Sequence, residues 1–314
     1  MRAVGLEQYG GPDVLRVFDR PLPVPGPGQV RIKVVAAAVN PTDLLLRSGE
    51  LAAAAARLEP PYTPGMDASG VVDAVGADVD LGIGEPVMAF VNPFQAAGGA
   101  QAEYVVVPRD QVVAAPRGLD LREVAGLPMN GLTAHLALSL LGLPEGATLA
   151  VTGAPGALGG YTVQLAKHRG LRVVVDAAER DRDLVRGLGA DVVVERAAVP
   201  SRLVDAYRAA LPEGADAVVD AAVLGAPALG IVRDGGKLAK CRPYELAGER
   251  GITVLSVQVP GHPDKRAALE ELAGLAEKGV LTLRTAEVLA PEQAPEAHRR
   301  LEAGGVRGRL LLAF

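Results

Sequence analysis

Residues 147–160 read ATLAVTGAPGALGG, and this stretch decides the fold. The apolar run 147–152 predicts a short strand, the glycines after it predict a tight turn, and residues 161–169 predict a helix. Together they form the start of a dinucleotide-binding βαβ unit, in which glycines let the backbone approach a pyrophosphate at a helix N-terminus. The turn residues expected at the cofactor are Gly153, Ala154, Gly156, Ala157, Leu158 and Gly159.

A second strand supports this interpretation. Residues 171–175 are apolar and end at Asp176, which is 176 − 159 = 17 residues beyond the last glycine. An acid at the end of the second strand is suited to bind the ribose hydroxyls of a dinucleotide. No Gly-Lys-Ser or Gly-Lys-Thr follows the glycines, which excludes an NTPase phosphate loop. The alternative is an ordinary tight turn between strand and helix.

Length and composition limit the class of protein. The 314 residues suggest two domains, and 49% hydrophobic residues can form a large core. A net charge of −5 with scattered basic residues predicts no nucleic-acid or membrane partner. The single cysteine, Cys241, excludes an intramolecular disulfide and a multi-cysteine zinc site. The N-terminus lacks the apolar core of a signal peptide, and no run has membrane-spanning length, so we expect a soluble, cytoplasmic protein.

The patterning changes along the chain. Residues 1–121 contain short β-prone runs between glycines and prolines, which predict a small barrel, with strands at 29–39, 70–76, 85–91 and 103–107. Residues 122–260 begin with a predicted helix at 124–141 and then alternate strands and helices, which predicts a parallel sheet covered on both faces. Its strands are predicted at 147–152, 171–176, 192–195, 217–220, 237–241 and 253–257. Residues 261–314, with a helix at 264–278 and a strand at 308–314, are predicted to rejoin the first domain.

The order of short motifs over nearly the whole chain resembles the zinc-free medium-chain dehydrogenase/reductase family, in its quinone oxidoreductase or zeta-crystallin-like branch. The motifs are VNPTD (39–43), RSG (47–49), PGMDASG (64–70), GGAQAEY (98–104), LP (127–128), GLTA (131–134), the glycine turn, VQLAK (163–167), LGAD (188–191) and RGR (307–309). The resemblance implies an α/β protein: a Rossmann-type, doubly wound parallel sheet plus a GroES-like β-barrel-type domain, with a cleft between them.

The resemblance also predicts that no zinc is bound. The zinc-dependent alcohol dehydrogenases have a cysteine where this chain has Asn40, and a His-Glu pair where it has Met66 and Asp67. Asparagine and methionine are poor zinc ligands beside thiolate and imidazole. The four histidines form no ligand-spaced cluster. Without a Lewis acid, alkoxide stabilisation is lost, so we expect hydride transfer from reduced nicotinamide to a quinone or α,β-unsaturated carbonyl.

Candidate residues for this reaction follow from the same resemblance. It implies that Asn40 faces the nicotinamide and the substrate, and that Thr133 and Arg307 lie at the cofactor. Asn40 could instead form an Asx-turn before Pro41, and Thr133 could satisfy a helix carbonyl.

The proton donor is harder to predict. Family members often have tyrosines at the positions of Leu45 and Glu50-Leu51, and the related enoyl-thioester reductases use a tyrosine in that neighbourhood as proton donor. This chain has no obvious equivalent. Tyr62 is the nearest candidate catalytic residue, with turn packing between prolines as its alternative role. Water is then the other proton source.

The nucleotide preference rests on few residues. The family mostly uses NADPH, whereas a carboxylate at Asp176 repels a 2′-phosphate and gives a lean to NADH. Arg180 and Arg182 follow closely and could pair with that phosphate, or form a solvated helix face.

Two further functions stay open: an enoyl-thioester reductase of lipid or polyketide synthesis, and a non-catalytic, crystallin-like nucleotide-binding protein. The β-rich run 253–259 (TVLSVQV) also predicts a homodimer through cofactor-domain sheet edges, because a bare edge invites uncontrolled pairing.

Overall fold

The polypeptide, in a computed structural model that describes residues 1–262 and 264–314, divides into two units. Unit 1 comprises Met1–Met129, Asp264–Gly279 and Leu283–Phe314, and unit 2 comprises Asn130–Pro263 and Val280–Thr282.

The strands in chain order are β1 (Arg2–Gly5), β2 (Arg16–Asp19), β3 (Gln29–Ala38), β4 (Asp67–Val75), β5 (Pro86–Phe90), β6 (Tyr104–Pro108), β7 (Val112–Ala114), β8 (Thr148–Thr152), β9 (Arg172–Ala177), β10 (Val192–Glu195), β11 (Ala215–Asp220), β12 (Val232–Lys240), β13 (Thr253–Ser256), β14 (Thr285–Leu289) and β15 (Arg309–Ala313). The helices are α1 (Pro41–Ser48), α2 (Ala52–Ala55), α3 (Leu121–Val124), α4 (Pro128–Leu141), α5 (Ala157–His168), α6 (Arg182–Gly187), α7 (Pro200–Ala210), α8 (Lys265–Glu277) and α9 (Ala294–Ala303).

Unit 1 is built around one sheet in the order β14-β15-β3-β4-β5-β7, with β6 also paired to β3. All neighbours are antiparallel except the parallel pair β14 and β15. Inward-facing residues such as Ile32, Val72 and Val105 form its core. Strand β15 pairs with β3, so a late segment of the chain completes this sheet.

Unit 2 contains a parallel sheet in the order β10-β9-β8-β11-β12-β13. The strand order reverses between β8 and β11, and ligands of doubly wound sheets bind beyond the carboxyl ends of the strands at such a point. Ala150, Val174, Val218 and Leu238 are fully buried, because helices cover both faces of a parallel sheet. The predicted doubly wound α/β sheet is confirmed.

One local prediction needs correction, and one pair of strands was missed. The helix predicted at 124–141 is two helices, α3 and α4, separated at residues 125–127. Pro128 explains the break, since proline disfavours helical backbone at the preceding residue and suits the first turn of a new helix. The antiparallel pair β1–β2 was not predicted, since its pairing joins segments with no tight turn between them.

Candidate functional site

The glycine turn connects β8 to α5 in unit 2. Gly153 has φ +69°, which favours glycine. A Cβ on Gly159 would lie 2.4 Å from the Gly153 carbonyl oxygen and 2.7 Å from Ala154 Cα, so helix and turn pack backbone to backbone. Gly156 is the N-cap of α5, and no side chain caps this helix. The turn therefore fits a pyrophosphate, which backbone N–H groups at the N-terminus of α5 and the helix dipole would bind.

Asp176, at the end of β9, lies beside the turn with a fully buried side chain. Its Oδ1 accepts hydrogen bonds from the Gly153 backbone N–H at 3.0 Å and the Tyr207 hydroxyl at 3.1 Å. Its Oδ2 accepts from Arg196 Nη1 at 2.9 Å. The carboxylate therefore positions the first glycine of the turn. Its predicted bond to a ribose stays a prediction, and in this conformation Arg196 covers the oxygen that would make it.

The arginines near this strand end differ in their surroundings. Arg180 is 77% exposed and lies 3.9 Å from Asp181, and Arg182 pairs with Glu179 at 2.7 Å. The structure thus places both arginines in local ion pairs within their own turn. Arg196, which the sequence analysis missed, is the guanidinium bound to Asp176. The two are 20 residues apart, Asp176 on β9 and Arg196 directly after β10, so no local pattern connects them.

A second buried carboxylate, Asp220, ends β11 at the point where the strand order reverses. It accepts hydrogen bonds from the Thr152 hydroxyl at 2.8 Å and from the Leu224 and Gly225 backbone N–H groups at 3.0 Å each. The Tyr244 hydroxyl donates to its Oδ2 at 3.0 Å. Asp220 therefore fixes the loop that follows β11 and ties it to the end of β8.

The end of β12 continues this edge of the sheet. The Lys240 ammonium donates to the Tyr244 carbonyl oxygen and lies 5.0 Å from the centroid of that ring. Burial, with the negative charge of Asp220, raises the pKa of the neighbouring Cys241 thiol to about 12. The thiol is thus protonated at neutral pH, which makes it a weak nucleophile.

A separate buried polar cluster lies in unit 1 around Asp43, in the first turn of α1. Its carboxylate accepts from the backbone N–H groups of Asn40 at 2.8 Å and Gly65 at 2.9 Å, and from Gln101 Nε2 at 3.1 Å. Burial raises the pKa of Asp43 to about 7, although these bonds oppose the rise. The carboxylate joins α1 to the loop before β4.

Asp67 and Arg309 form a buried ion pair in the same unit, with side chains 0% and 5% exposed. Arg309 Nη2 donates to Asp67 Oδ2 at 3.0 Å and to Asn40 Oδ1 at 2.7 Å, and the Met129 N–H donates to Asp67 Oδ1 at 3.1 Å. Burial raises the pKa of Asp67 to about 6 even with Arg309 opposing it. The structure thus brings Asn40 together with Arg309, the second residue that the sequence analysis missed; the RGR motif had directed attention to Arg307.

The remaining predicted residues are Tyr62, Thr133 and Arg307. Tyr62, in unit 1, exchanges backbone hydrogen bonds with Leu6, and its ring stacks on Tyr9 at 5.5 Å between centroids. These contacts match its predicted packing role, and its role as proton donor stays untested. Thr133 is buried in α4, and Arg307 is half-buried in the loop before β15. Their cofactor contacts stay predictions.

Within residues 1–262 and 264–314, no three His, Cys, Asp or Glu side chains are grouped so that they could hold a metal ion. Over that same part of the chain, no helix has both the length and the apolarity to cross a bilayer.

Two family models match the chain: "Alcohol dehydrogenase GroES-like domain" over residues 26–117 and "Zinc-binding dehydrogenase" over residues 170–312. A chloroplastic quinone-oxidoreductase QR1 of Triphysaria versicolor is 37% identical over 203 residues, 62% of this chain and 61% of the relative. A chloroplastic NADPH-dependent alkenal/one oxidoreductase of Arabidopsis thaliana is 35% identical over 246 residues, 76% of this chain and 61% of the relative. The chain therefore spans about three fifths of these relatives' length.

A solved structure of an NAD-dependent alcohol dehydrogenase is similar over its whole length. It is 31% identical, covers 100% of both chains and has a TM-score of 0.86. With the GroES-like match, this confirms the predicted pairing of a GroES-like domain with a Rossmann-type sheet. From the glycine turn, the strand order and these similarities, we conclude that the chain belongs to the medium-chain dehydrogenase/reductase family.

Proposed function

We propose that this protein is a zinc-independent oxidoreductase that uses NAD(P)H to reduce a quinone or an α,β-unsaturated carbonyl. The glycine turn and the N-terminus of α5 that follows it support binding of a dinucleotide. The names of the Triphysaria and Arabidopsis relatives support the class of acceptor.

The position of Arg309 carries the zinc-independent part of the proposal. By resemblance, a catalytic zinc would be bound by the side chains at positions 40 and 66–67. Here a guanidinium nitrogen lies 2.7 Å from Asn40 Oδ1 and 3.0 Å from Asp67 Oδ2. A fixed positive charge that already binds the Asn40 carboxamide and the Asp67 carboxylate disfavours a divalent cation there, and positions 40 and 66 supply neither the thiolate nor the imidazole that zinc prefers.

The reaction needs few groups from the protein. The reduced nicotinamide, when bound, supplies the hydride, and the acceptor also takes one proton. Arg309 fixes the Asn40 carboxamide through its Oδ1, while Nδ2 faces the Ala38 carbonyl oxygen at a long 3.5 Å. In the proposed role, Asn40 donates from Nδ2 to the acceptor oxygen and so orients it. Asp43 and Asp67 already accept hydrogen bonds from buried donors, and we propose water as the source of the proton.

Turnover tests the proposal. The purified protein, with its zinc content measured by elemental analysis, is mixed with NADH or NADPH and either 1,4-benzoquinone or an α,β-unsaturated aldehyde. We expect dihydronicotinamide to be consumed by protein that contains less than stoichiometric zinc. Gly159→Ala should abolish the activity, because its Cβ would meet backbone at 2.4 Å. Gly187→Ala is the matched control, since a Cβ there meets nothing within 4 Å.

The same assay separates the alternatives. Nucleotide binding without turnover of any acceptor would favour the non-catalytic function. Turnover of an enoyl thioester but of neither simple acceptor would favour the thioester reductase. One tightly bound zinc per chain would contradict zinc independence.

We also propose that the protein is a homodimer. Strand β13 ends the sheet of unit 2 and pairs on one side with β12. Its four residues are exposed or half-buried, and an unpaired edge of this kind is a template for a second strand. Sedimentation at micromolar concentration should give the mass of a dimer, and a monomeric mass would contradict this proposal.

A further inference from the structure

A cavity of about 250 Å³ lies in unit 1, where the residue after β2, the segment before β4 and the loop after β5 meet. Its charged lining residues are Arg20, Arg57 and Glu59, so two positive charges and one negative charge leave a net charge of +1. The cavity is therefore positive, and apolar side chains form much of its remaining wall: Leu58, Pro61, Tyr62, Pro93 and Ala96.

Neutral groups hold Arg20 at this cavity. Its Nη1 donates to the Thr63 hydroxyl oxygen at 2.6 Å, and its backbone N–H donates to the Met1 carbonyl oxygen at 2.8 Å. Gly98, with φ +78°, packs against the same guanidinium, since a Cβ at this position would lie 3.0 Å from Nη1. Glycine thus leaves room for the guanidinium, which a hydroxyl and close backbone packing hold in position.

The arginines of this cavity lack a counter-ion. In the part of the chain that the structure describes, neither Arg20 nor Arg57 has an Asp or Glu oxygen within 4 Å, whereas Arg109 of the same unit pairs with Asp80 at 2.6 Å. The Thr63 side chain is buried and accepts from Arg20, which leaves its hydroxyl proton for a second acceptor. A guanidinium beside such a hydroxyl fits an oxyanion, which accepts from both groups.

We infer that this cavity binds a small organic molecule through its carboxylate. The net charge of +1 matches a monoanion better than the dianion of a phosphate monoester. Arg20 donates to the carboxylate through N–H groups other than the one that meets Thr63, and the Thr63 hydroxyl donates beside it. Arg57 adds a second positive charge. The volume lies below the roughly 300 Å³ at which pockets for drug-sized ligands begin, so the ligand is small.

The test compares a carboxylate with a neutral molecule of similar shape. Fluorine NMR of 4-fluorobenzoate and of 4-fluorobenzamide, each titrated with the full-length protein, gives Kd for both probes. We expect the benzoate to bind wild type saturably and at least about tenfold more tightly than the benzamide, the effect of one charge-assisted contact. In Arg20→Ala this preference should fall to about threefold or less.

Two exposed positions of the lining should shift the benzoate Kd in opposite directions. Arg57→Ala removes a positive charge and should weaken binding by about twofold to fivefold, the range of an exposed charge pair. Glu59→Gln removes the negative charge and should tighten binding by a similar factor. Shifts of the same sign in both variants would contradict a carboxylate bound in this cavity.

Arg16→Ala is the matched control, because Arg16 is an exposed arginine of β2, four positions before Arg20, that does not line the cavity. It should keep the wild-type preference. Equal binding of both probes to wild type, or no saturable binding of the benzoate, would overturn the inference. An unchanged preference in Arg20→Ala, or an equal loss in Arg16→Ala, would do the same. If Arg20→Ala proves unfolded by circular dichroism, the variants at Arg57 and Glu59 still decide.

Failure of this inference is distinct from failure of the proposed function. The titrations contain neither nucleotide nor hydride acceptor. A protein that prefers the benzoate but reduces no acceptor would retain the carboxylate site and lose the reductase function. A protein that reduces quinones with no preference between the probes would do the opposite.

Discussion

Two carboxylate–guanidinium pairs differ in one respect: how far water reaches the arginine. Asp67 and Arg309 in unit 1 have side chains 0% and 5% exposed, whereas Asp176 and Arg196 in unit 2 are 0% and 45% exposed. Both carboxylates also accept a backbone N–H.

The difference decides what each pair can do. A fully buried pair is fixed, because removing either partner leaves the other charge buried with neither a counter-ion nor water around it. A half-exposed arginine can leave its carboxylate for another anion, since water takes its place. The same two residue types are therefore closed to solvent in unit 1, whereas the arginine of the pair in unit 2 is open to it.

The largest effect should come from breaking the buried pair. Arg309→Met leaves Asp67 and Asn40 without their shared donor and should cost about 3–5 kcal/mol in the free energy of unfolding. Urea unfolding followed by circular dichroism measures this cost. Asp67→Leu combined with Arg309→Met should recover much of it, because both charges are then removed. A loss under about 1 kcal/mol in the single variant would show that Asp67 does not depend on Arg309.

The next largest effect should be a pH dependence of the free energy of unfolding, which arises from burial of Asp43 in unit 1. Burial raises the pKa of Asp43 from 3.8 to about 7, so the folded protein holds this proton where the unfolded chain has released it. The contribution to stability is present below about pH 4 and is lost as pH rises to 7, on the order of 2–4 kcal/mol. Asp43→Asn should flatten this fall in urea unfolding measured across that range.

Asp80→Asn gives a control of opposite sign. Arg109 lowers the pKa of the exposed Asp80, so its contribution is present above the unfolded pKa and is lost as pH falls. A fall between pH 4 and 7 that is as steep in Asp43→Asn as in wild type would exclude Asp43 as its source.

Breaking the half-exposed pair should lower the free energy of unfolding by less. Arg196→Met should cost about 1 kcal/mol or less in urea unfolding, because water can reach the vacated position and Asp176 keeps Gly153 and Tyr207 as donors. Measured beside Arg309→Met, it tests the comparison directly. Equal costs would mean that the exposure of the arginine does not matter.

The smallest expected difference between the two pairs is in how their coupling free energies depend on salt. Raising sodium chloride from about 0.1 to 1 M should lower the coupling between Arg196 and Asp176 by a few tenths of a kcal/mol, since exposed charges are screened. The coupling between Arg309 and Asp67 should stay constant. Double-mutant cycles at both salt concentrations measure each coupling, and equal salt dependence would argue against the difference in access.

The sequence predicted what depends on local pattern. The glycine turn and the alternation of strands and helices were found because their signals lie within short windows. The bounds of β10, at Val192–Glu195, agree with the predicted 192–195. Asp176 and Asn40 were likewise recognised as candidate cofactor-binding residues.

The partners of those residues could not be predicted. Arg196 follows Asp176 by 20 residues and Arg309 follows Asn40 by 269, so only the folded sheets bring them together. An arginine at the end of a strand has the same local pattern whether it faces water or covers a carboxylate. The preference for NADH was therefore inferred from Asp176 alone, without its ion-pair partner Arg196.

The place of β15 in the sheet has a consequence for biosynthesis. On the ribosome, β3, β4 and Asp67 emerge early, but β15 emerges only after the whole of unit 2. Until then β3 lacks the neighbour that pairs with Ala36–Ala38, and Asp67 lacks its counter-ion. Most of unit 2 is one continuous segment, which can fold first. The N-terminal strands stay incompletely paired, and accessible to chaperones, until residues more than 200 positions later are synthesised. Asn40 and its partner Arg309 are 269 positions apart.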